Sequence, residues 1–455
     1  MGVLAWLPFC NEVRHTVPEQ PLKFRDKEQQ GSMTMLELIE KYVPEFQDRA
    51  TQLFHPVLPT GHLQTIFASL RNFETVDVVY YERMMLSYHD GGVGALDFAT
   101  SAASLEHFQD LPNEVPPHQH RALTDRYRYL TAKEIDELAS NDAKPMLIVM
   151  HGLTGGSDEG YVRAIVNRAR DVYGFEACVL NSRGCAQSSI TTPSLYNGAW
   201  TDDIRHCVKV LRGMYPQRKF YLVGVSLGAS MATNYLGQEQ NSSDIECAAV
   251  LGNPWDLTSG AYNLSKGLLS RYVYSPALRK NCVQVLKSNI RQLRLDPYMK
   301  KQYDEKLNSL QTIEDFDNEF TAKMFGFNTS YEYYRHASSV NRLPQVRTPL
   351  LAINALDDPI VGSEALPRRE VAINPYVVLL ETSKGGHIGW FDYKGSRWYV
   401  DPLCRFFYAF HREITKKNMI PDLDGVVLPH PHKFEKDRLV NPLVREWDTG
   451  RQGSS

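Results

Sequence analysis

The sequence predicts an α/β protein: a mostly parallel central sheet with helices on both faces and an inserted helical cap. Three observations carry that expectation. Short apolar runs alternate with amphipathic helical stretches from Met146 to Leu251. The alternation stops from about Trp255 to Leu343, where the chain is aromatic, mixed in charge and helical in pattern, and it resumes at Leu350. Strands separated by helices at this rhythm suit a parallel sheet covered on both faces. A helical block inserted into such a sheet suits a cap over the carboxyl ends of its strands, where these sheets bind ligands.

The elements follow in chain order. Thr34 and Glu37 form a capping box that opens a short helix ending before Pro44. From Val76 to Thr100 the pattern is that of strands broken at Asp90-Gly91-Gly92, an antiparallel hairpin. Residues 104–144 are polar, with Pro112, Pro116, Pro117, His118 and His120, and suit an insertion or surface loop. The alternation then reads strand 146–150, helix 159–173, strand 177–180, helix 201–214 with Thr201 at its N-cap, strand 220–225, helix 227–236 and strand 248–251. After the cap come strands 350–354 and 377–380 and a helix near 398–411. The expected organisation is an N-terminal extension with a short helix (1–52), a first core part (53–256), the cap (257–345), a second core part (346–412) and a C-terminal tail (413–455). That tail is rich in Pro, His and charge and is expected to wrap the body loosely.

Composition narrows the function classes. The 455 residues carry 50 Lys and Arg against 53 Asp and Glu, a formal charge of −3, which gives no electrostatic reason for a nucleic-acid partner. The longest apolar runs are strand-sized, far short of the ~18 residues of a membrane span. Residues 1–10 are apolar but lack the charged start and cleavage site of a signal peptide. Packing on the body and contact with a lipid surface are both open for this decapeptide. Seven cysteines with no C-x-x-C point to a reduced, cytoplasmic setting without structural zinc. His430 and His432 have no carboxylate or Cys partner at ligand spacing, so no metal or other cofactor is expected.

The chemistry sits at Gly224-Val225-Ser226-Leu227-Gly228, where strand 220–225 meets a helix. A serine on so sharp a turn presents its hydroxyl as a nucleophile, and glycines flank it because side chains there would strike neighbouring elements. The hydroxyl is weak until a base takes its proton. Candidates lie after the two late strands: Asp357 and Asp358 in one loop, His387 between Gly386 and Gly389 in the other. The order Ser, acid, His is that of hydrolases. Asp358 is preferred as the acid that orients His387, with Asp357 capping the turn; the reverse assignment stays open. The turn HGLTGGS at 151–157 follows the first central strand, so the N–H groups of Leu153 and Leu227 are the expected oxyanion donors. It lacks the G-K-[ST] ending of a phosphate loop. The cap's aromatics, Tyr262, Tyr272, Phe316, Phe320, Phe325 and Tyr333 among them, suit an acyl tunnel or simple packing equally.

With those turns in hand, the sequence resembles the α/β-hydrolase-domain family of lipases and esterases, and within it the fungal group of medium-chain fatty acid ester synthases/esterases and monoacylglycerol lipases. The resemblance spans about 53–412. It is carried by GHLQT at 61–65, HGLTGGS at 151–157, NSRGC at 181–185, GVSLGASMATNYLG at 224–237, NPWDL at 253–257, DDPIV at 357–361 and GGHIGWF at 385–391. It implies the α/β-hydrolase fold, amphiphilic acyl esters as substrates, and Ser226, Asp358 and His387 as a catalytic triad. Water as acyl acceptor makes the chain an ester hydrolase; an alcohol acceptor makes it an O-acyltransferase at the same site. A third reading is a lipid-binding protein without catalysis on the same scaffold.

Overall fold

The computed structural model describes residues 7–26, 31–100, 108, 110–429, 433–435 and 438–440. His430 and His432 lie outside them, as do residues 1–6 of the apolar decapeptide. Cys10 already opens the first strand.

The strands in chain order are β1 (Cys10–Thr16), β2 (Lys23–Arg25), β3 (Ser32–Thr34), β4 (Thr51–Leu53), β5 (Tyr80–Ser87), β6 (Val93–Thr100) and β7 (Tyr127–Tyr129). They continue with β8 (Pro145–Met150), β9 (Glu176–Asn181), β10 (Lys219–Val225), β11 (Ile245–Leu251), β12 (Leu350–Ala355), β13 (Val377–Thr382) and β14 (Ile420–Asp422). An 11-stranded sheet runs in the order β4-β1-β13-β12-β11-β10-β8-β9-β6-β5-β7. Its centre, from β9 to β13, is parallel. Strands covered on both faces read as unbroken apolar runs. Accordingly every residue of β12, and all of β10 after Lys219, is buried.

The chain leaves β8 toward β9 on one side and returns to β10 on the other, so the strand order reverses at β8. Such a switch point opens a crevice at the carboxyl ends of the strands. The turn at 151–157 leaves β8 there and Ser226 leaves β10 beside it. Helices and short 3-10 and π-helical turns, without a strand, fill 257–345, and several of their side chains cover this crevice. They share a core of their own, in which Leu286, Leu293 and Phe320 pack with Ile190 and Leu195.

Several elements differ from the sequence expectation. The first 52 residues supply more than a helix: β1 pairs antiparallel with β13, and β4 pairs with β1. The helix Met35–Tyr42 does carry its capping box, Thr34 with Glu37. The polar stretch 104–144 includes β7, a buried edge strand of the main sheet, and a second capping box, Thr131 with Glu134. Thr201 stands at the N-cap position of the helix Asp202–Met214, but its hydroxyl donates to Gln238 and caps nothing. Beyond 412 the last core helix continues as a π-helical turn whose Ile414 and Thr415 are buried, and β14 pairs with β2.

Candidate active site

Ser226 follows the last residue of β10 with φ +53° and ψ −121°, a conformation that costs a side chain of order 1–3 kcal/mol and persists only where the surroundings impose it. The surroundings are backbone. A Cβ on Gly224 would lie 2.6 Å from the Gly228 carbonyl oxygen, and one on Gly228 would lie 2.4 Å from that of His151. Both glycines are therefore steric requirements of the turn.

The Ser226 Oγ lies 2.8 Å from His387 Nε2, and His387 Nδ1 lies 2.8 Å from Asp358 Oδ2. Because the carboxylate oxygen accepts, Nδ1 carries the hydrogen and Nε2 is left to accept from the serine hydroxyl. The other oxygen, Asp358 Oδ1, accepts from the N–H groups of Ile360 and Val361 at 2.8 and 3.0 Å, which fixes the carboxylate in its plane. Asp357 points elsewhere. Its Oδ1 accepts from the Gly386 N–H at 2.9 Å, and burial pushes its carboxyl up.

The histidine loop is held from a second side. Its backbone doubles back at Gly386, φ +59°, where a Cβ would fall 2.3 Å from the Gly61 carbonyl oxygen. The His387 N–H donates to Thr65 Oγ1 at 2.8 Å, and the Phe391 N–H to Gln64 Oε1 at the same distance. Thr65 and Gln64 belong to the helix Gly61–Leu70. Nothing in the periodicity marks them as site residues; the only signal was the GHLQT motif itself.

The turn after β8 is clamped by two tyrosines. The Gly152 N–H donates to Tyr161 OH and the Thr154 N–H to Tyr196 OH, both at 2.8 Å. The N–H between them, that of Leu153, meets no acceptor among the described residues, and neither does that of Leu227 at the start of its helix. His151 stiffens the same turn: its Nε2 accepts from the Ser182 N–H at 3.0 Å, so Nδ1 donates to the Gly152 carbonyl at 2.7 Å. Burial lowers the His151 pKa, which favours this neutral form.

Residues 145–392 match the sequence profile of the alpha/beta hydrolase fold family. The chain belongs to that family. A monoacylglycerol lipase of Saccharomyces cerevisiae is 46% identical over 434 residues, covering 94% of this chain and 96% of its own. A medium-chain fatty acid ethyl ester synthase/esterase of the same yeast is 32% identical over 428 residues, covering 88% and 94%. Among solved structures, a Pyrococcus furiosus esterase aligns over 73% of this chain and 92% of that one, with TM-score 0.43 and 14% identity.

In this α/β hydrolase the crevice above Ser226 holds two cavities. The larger, about 120 Å³, is lined by Ser226, His387, Leu257, Leu264, Leu278 and Ile313. The smaller, about 40 Å³, is lined by Phe316, Phe320, Met324 and Phe325. Both touch Leu153, Leu227, Asp317 and Tyr333. Phe316, Phe320, Phe325, Tyr333 and Tyr334 of the cap thus line a cavity, whereas Tyr262 and Tyr272 are exposed. A roomier cavity, about 670 Å³, lies at the amino ends of β10 and β11 and contains no residue of the hydroxyl–imidazole–carboxylate chain. Among the described residues no group of three or more His, Cys, Asp or Glu side chains is arranged to hold a metal ion.

Proposed function

We propose that this α/β hydrolase is a serine ester hydrolase acting on amphiphilic acyl esters, monoacylglycerols and medium-chain fatty acid esters, through an acyl-enzyme on Ser226. The observation that carries the reading is the unbroken hydrogen-bond chain from Ser226 Oγ through His387 to Asp358, on a strained turn that faces an apolar cavity. Ser226 Oγ attacks the ester carbonyl carbon and His387 Nε2 takes its proton. The charge that develops on the carbonyl oxygen meets the N–H groups of Leu153 and Leu227; one such donor is worth about 2.7–4 kcal/mol of barrier. His387 then returns the proton to the leaving alcohol, and Asp358 holds the imidazolium between the two transfers. Water, deprotonated by His387, attacks the acyl carbon, and His387 passes that proton to the leaving Ser226 Oγ as the acid is freed.

A second reading changes only the acceptor. The yeast relative named as an ethyl ester synthase/esterase favours it: an alcohol in place of water would give an ester. The test incubates the protein with 1-decanoylglycerol, with and without ethanol, beside Ser226→Ala, and quantifies decanoic acid and ethyl decanoate. Acid in both mixtures supports the hydrolase, and ethyl ester dominating at modest ethanol supports the transferase. Turnover by the Ser226→Ala protein equal to wild type would refute both.

Contact with a lipid surface is part of this proposal. Among the described residues no helix is long and apolar enough to cross a membrane. The cap exposes Tyr262, Leu268 and Tyr272, whose apolar area favours an interface. All seven cysteines are free and buried, which supports the reduced, cytoplasmic setting.

A further inference from the structure

The steps above leave one charged group of the crevice unused. Asp317 opens a π-helical turn, Asp317–Thr321, within the cap; such irregular turns recur at functional sites. Asp317 lines both cavities, as do Leu153 and Leu227. Its partners are two hydroxyls. Thr321 Oγ1 donates to Oδ1 and Tyr334 OH donates to Oδ2, each at 2.7 Å. No Lys or Arg pairs with it among the described residues. Burial pushes its carboxyl up to about 6.

A carboxylate in cavities that Ile313, Leu257 and Phe316 also line is expensive to keep without a cation. An ionised carboxylate offers roughly four acceptor directions, and the two hydroxyls occupy two of them. The rest are available to hydroxyl groups that arrive with a ligand. An alkyl chain has none to give. The polyol end of a 1-glyceryl ester has two, on the second and third carbons counted from the ester oxygen that must leave next to His387.

We propose that Asp317 is the anchor for the free hydroxyls of the substrate's polyol part, and that it sets the preference for monoacylglycerols over simple alkyl esters of the same acid. The inference rests on the ester-hydrolase reading and adds the group that recognises the alcohol. Asp317 touches substrate without taking part in bond making; it changes which ester is bound for attack. A purely structural Asp317, tying its turn to the helix Ser330–Ala337 through Tyr334, would treat all esters alike.

The test compares kcat/KM for 1-decanoylglycerol and ethyl decanoate in wild type and Asp317→Asn. The glyceryl-to-ethyl ratio is expected to fall at least about tenfold, as hydrogen bonds to a charged group are lost. An unchanged ratio, including equal losses on both esters, overturns the proposal. If Asp317→Asn does not fold, the smaller Asp317→Ser replaces it. A second measurement needs no turnover: calorimetric binding of the non-hydrolysable 1-O-decylglycerol against decyl ethyl ether, to Ser226→Ala protein with and without Asp317→Asn. Weaker binding of the diol alone supports the proposal, and equal binding overturns it. Wild type that hydrolyses neither ester would instead sink the hydrolase reading, and the binding pair would then decide the role of Asp317 alone.

Discussion

Asp357 and Asp358 are adjacent in the chain and hold different parts of one loop: Asp358 Oδ2 lies 2.8 Å from the His387 ring, while Asp357 Oδ1 accepts the Gly386 N–H at 2.9 Å. One carboxylate orients the imidazole and its neighbour sets the backbone that carries it. The division follows from their surroundings after β12. The N–H groups of Ile360 and Val361 converge on Asp358, whereas the Asp357 backbone packs against Gly61 so tightly that a Cβ there would fall 1.8 Å from its carbonyl oxygen.

The pair makes a sharp prediction. Asp358→Asn should cost about 10,000-fold in kcat, the loss seen when an orienting carboxylate becomes an amide and the wrong tautomer is favoured. Asp357→Asn keeps an acceptor for the Gly386 N–H and should cost less than about tenfold. Steady-state kinetics on one ester, with melting temperatures to confirm folding, separates the two; equal losses would contradict the assignment.

The tyrosine clamp predicts a defect confined to the chemical step. Tyr161→Phe leaves the Gly152 N–H without its acceptor, and Tyr196→Phe does the same to Thr154. A buried donor left unpaired costs about 1–3 kcal/mol, and relaxation of the turn would move the N–H of Leu153, the proposed oxyanion donor. Each variant should lose about tenfold or more in kcat with KM little changed. Kinetics with an unchanged kcat would mean that the turn holds its shape without them.

Much of this arrangement is legible in the sequence because each local rule agrees with the fold. The run from Phe220 to Val225 is apolar throughout, as a strand covered on both faces must be, and the glycines at 224 and 228 announce the turn that their absent Cβ atoms make possible. Other parts leave little trace. β1 reads C-N-E-V-R-H-T and buries Asn11 as well as Val13, so neither alternation nor an apolar run reveals it. Its place is set by pairing with β13, some 370 residues away, with Val13 opposite Thr382, and just past that strand the Lys384 N–H donates to Asn11 Oδ1. β7 has three residues, too few to show a period. Tyr161, Tyr196 and Thr65 act on the site through single hydrogen bonds that only the folded chain brings together. Asp317 sits in a helical cap where one carboxylate among many charges carries no pattern.

Glu159 gives a pH-dependent stability with a definite sign. Burial, and then the nearby Asp158, push its carboxyl from an ordinary 4.5 up to about 7, against the pull of Arg397 and Arg163. Below about pH 4.5 both folded and unfolded chains hold the proton. Between there and pH 7 the unfolded chain releases it first, so this group's contribution lowers stability as pH rises. Glu159→Gln removes that penalty. Its gain over wild type should be near zero at pH 4.5 and grow through pH 7 to at most about 3 kcal/mol. Urea melts at several pH values check this, and a gain that shrinks with rising pH would contradict it.

The central claim is that Ser226 is the group acylated by substrate, and covalent trapping tests it most directly. The protein is treated with an alkyl fluorophosphonate of medium chain length, and the modified residue is located by peptide mass mapping in wild type and Ser226→Ala. The expected result is one adduct, on Ser226, absent from a Ser226→Ala protein that melts at the wild-type temperature. An adduct on another residue, or no adduct on folded wild-type protein, would contradict it.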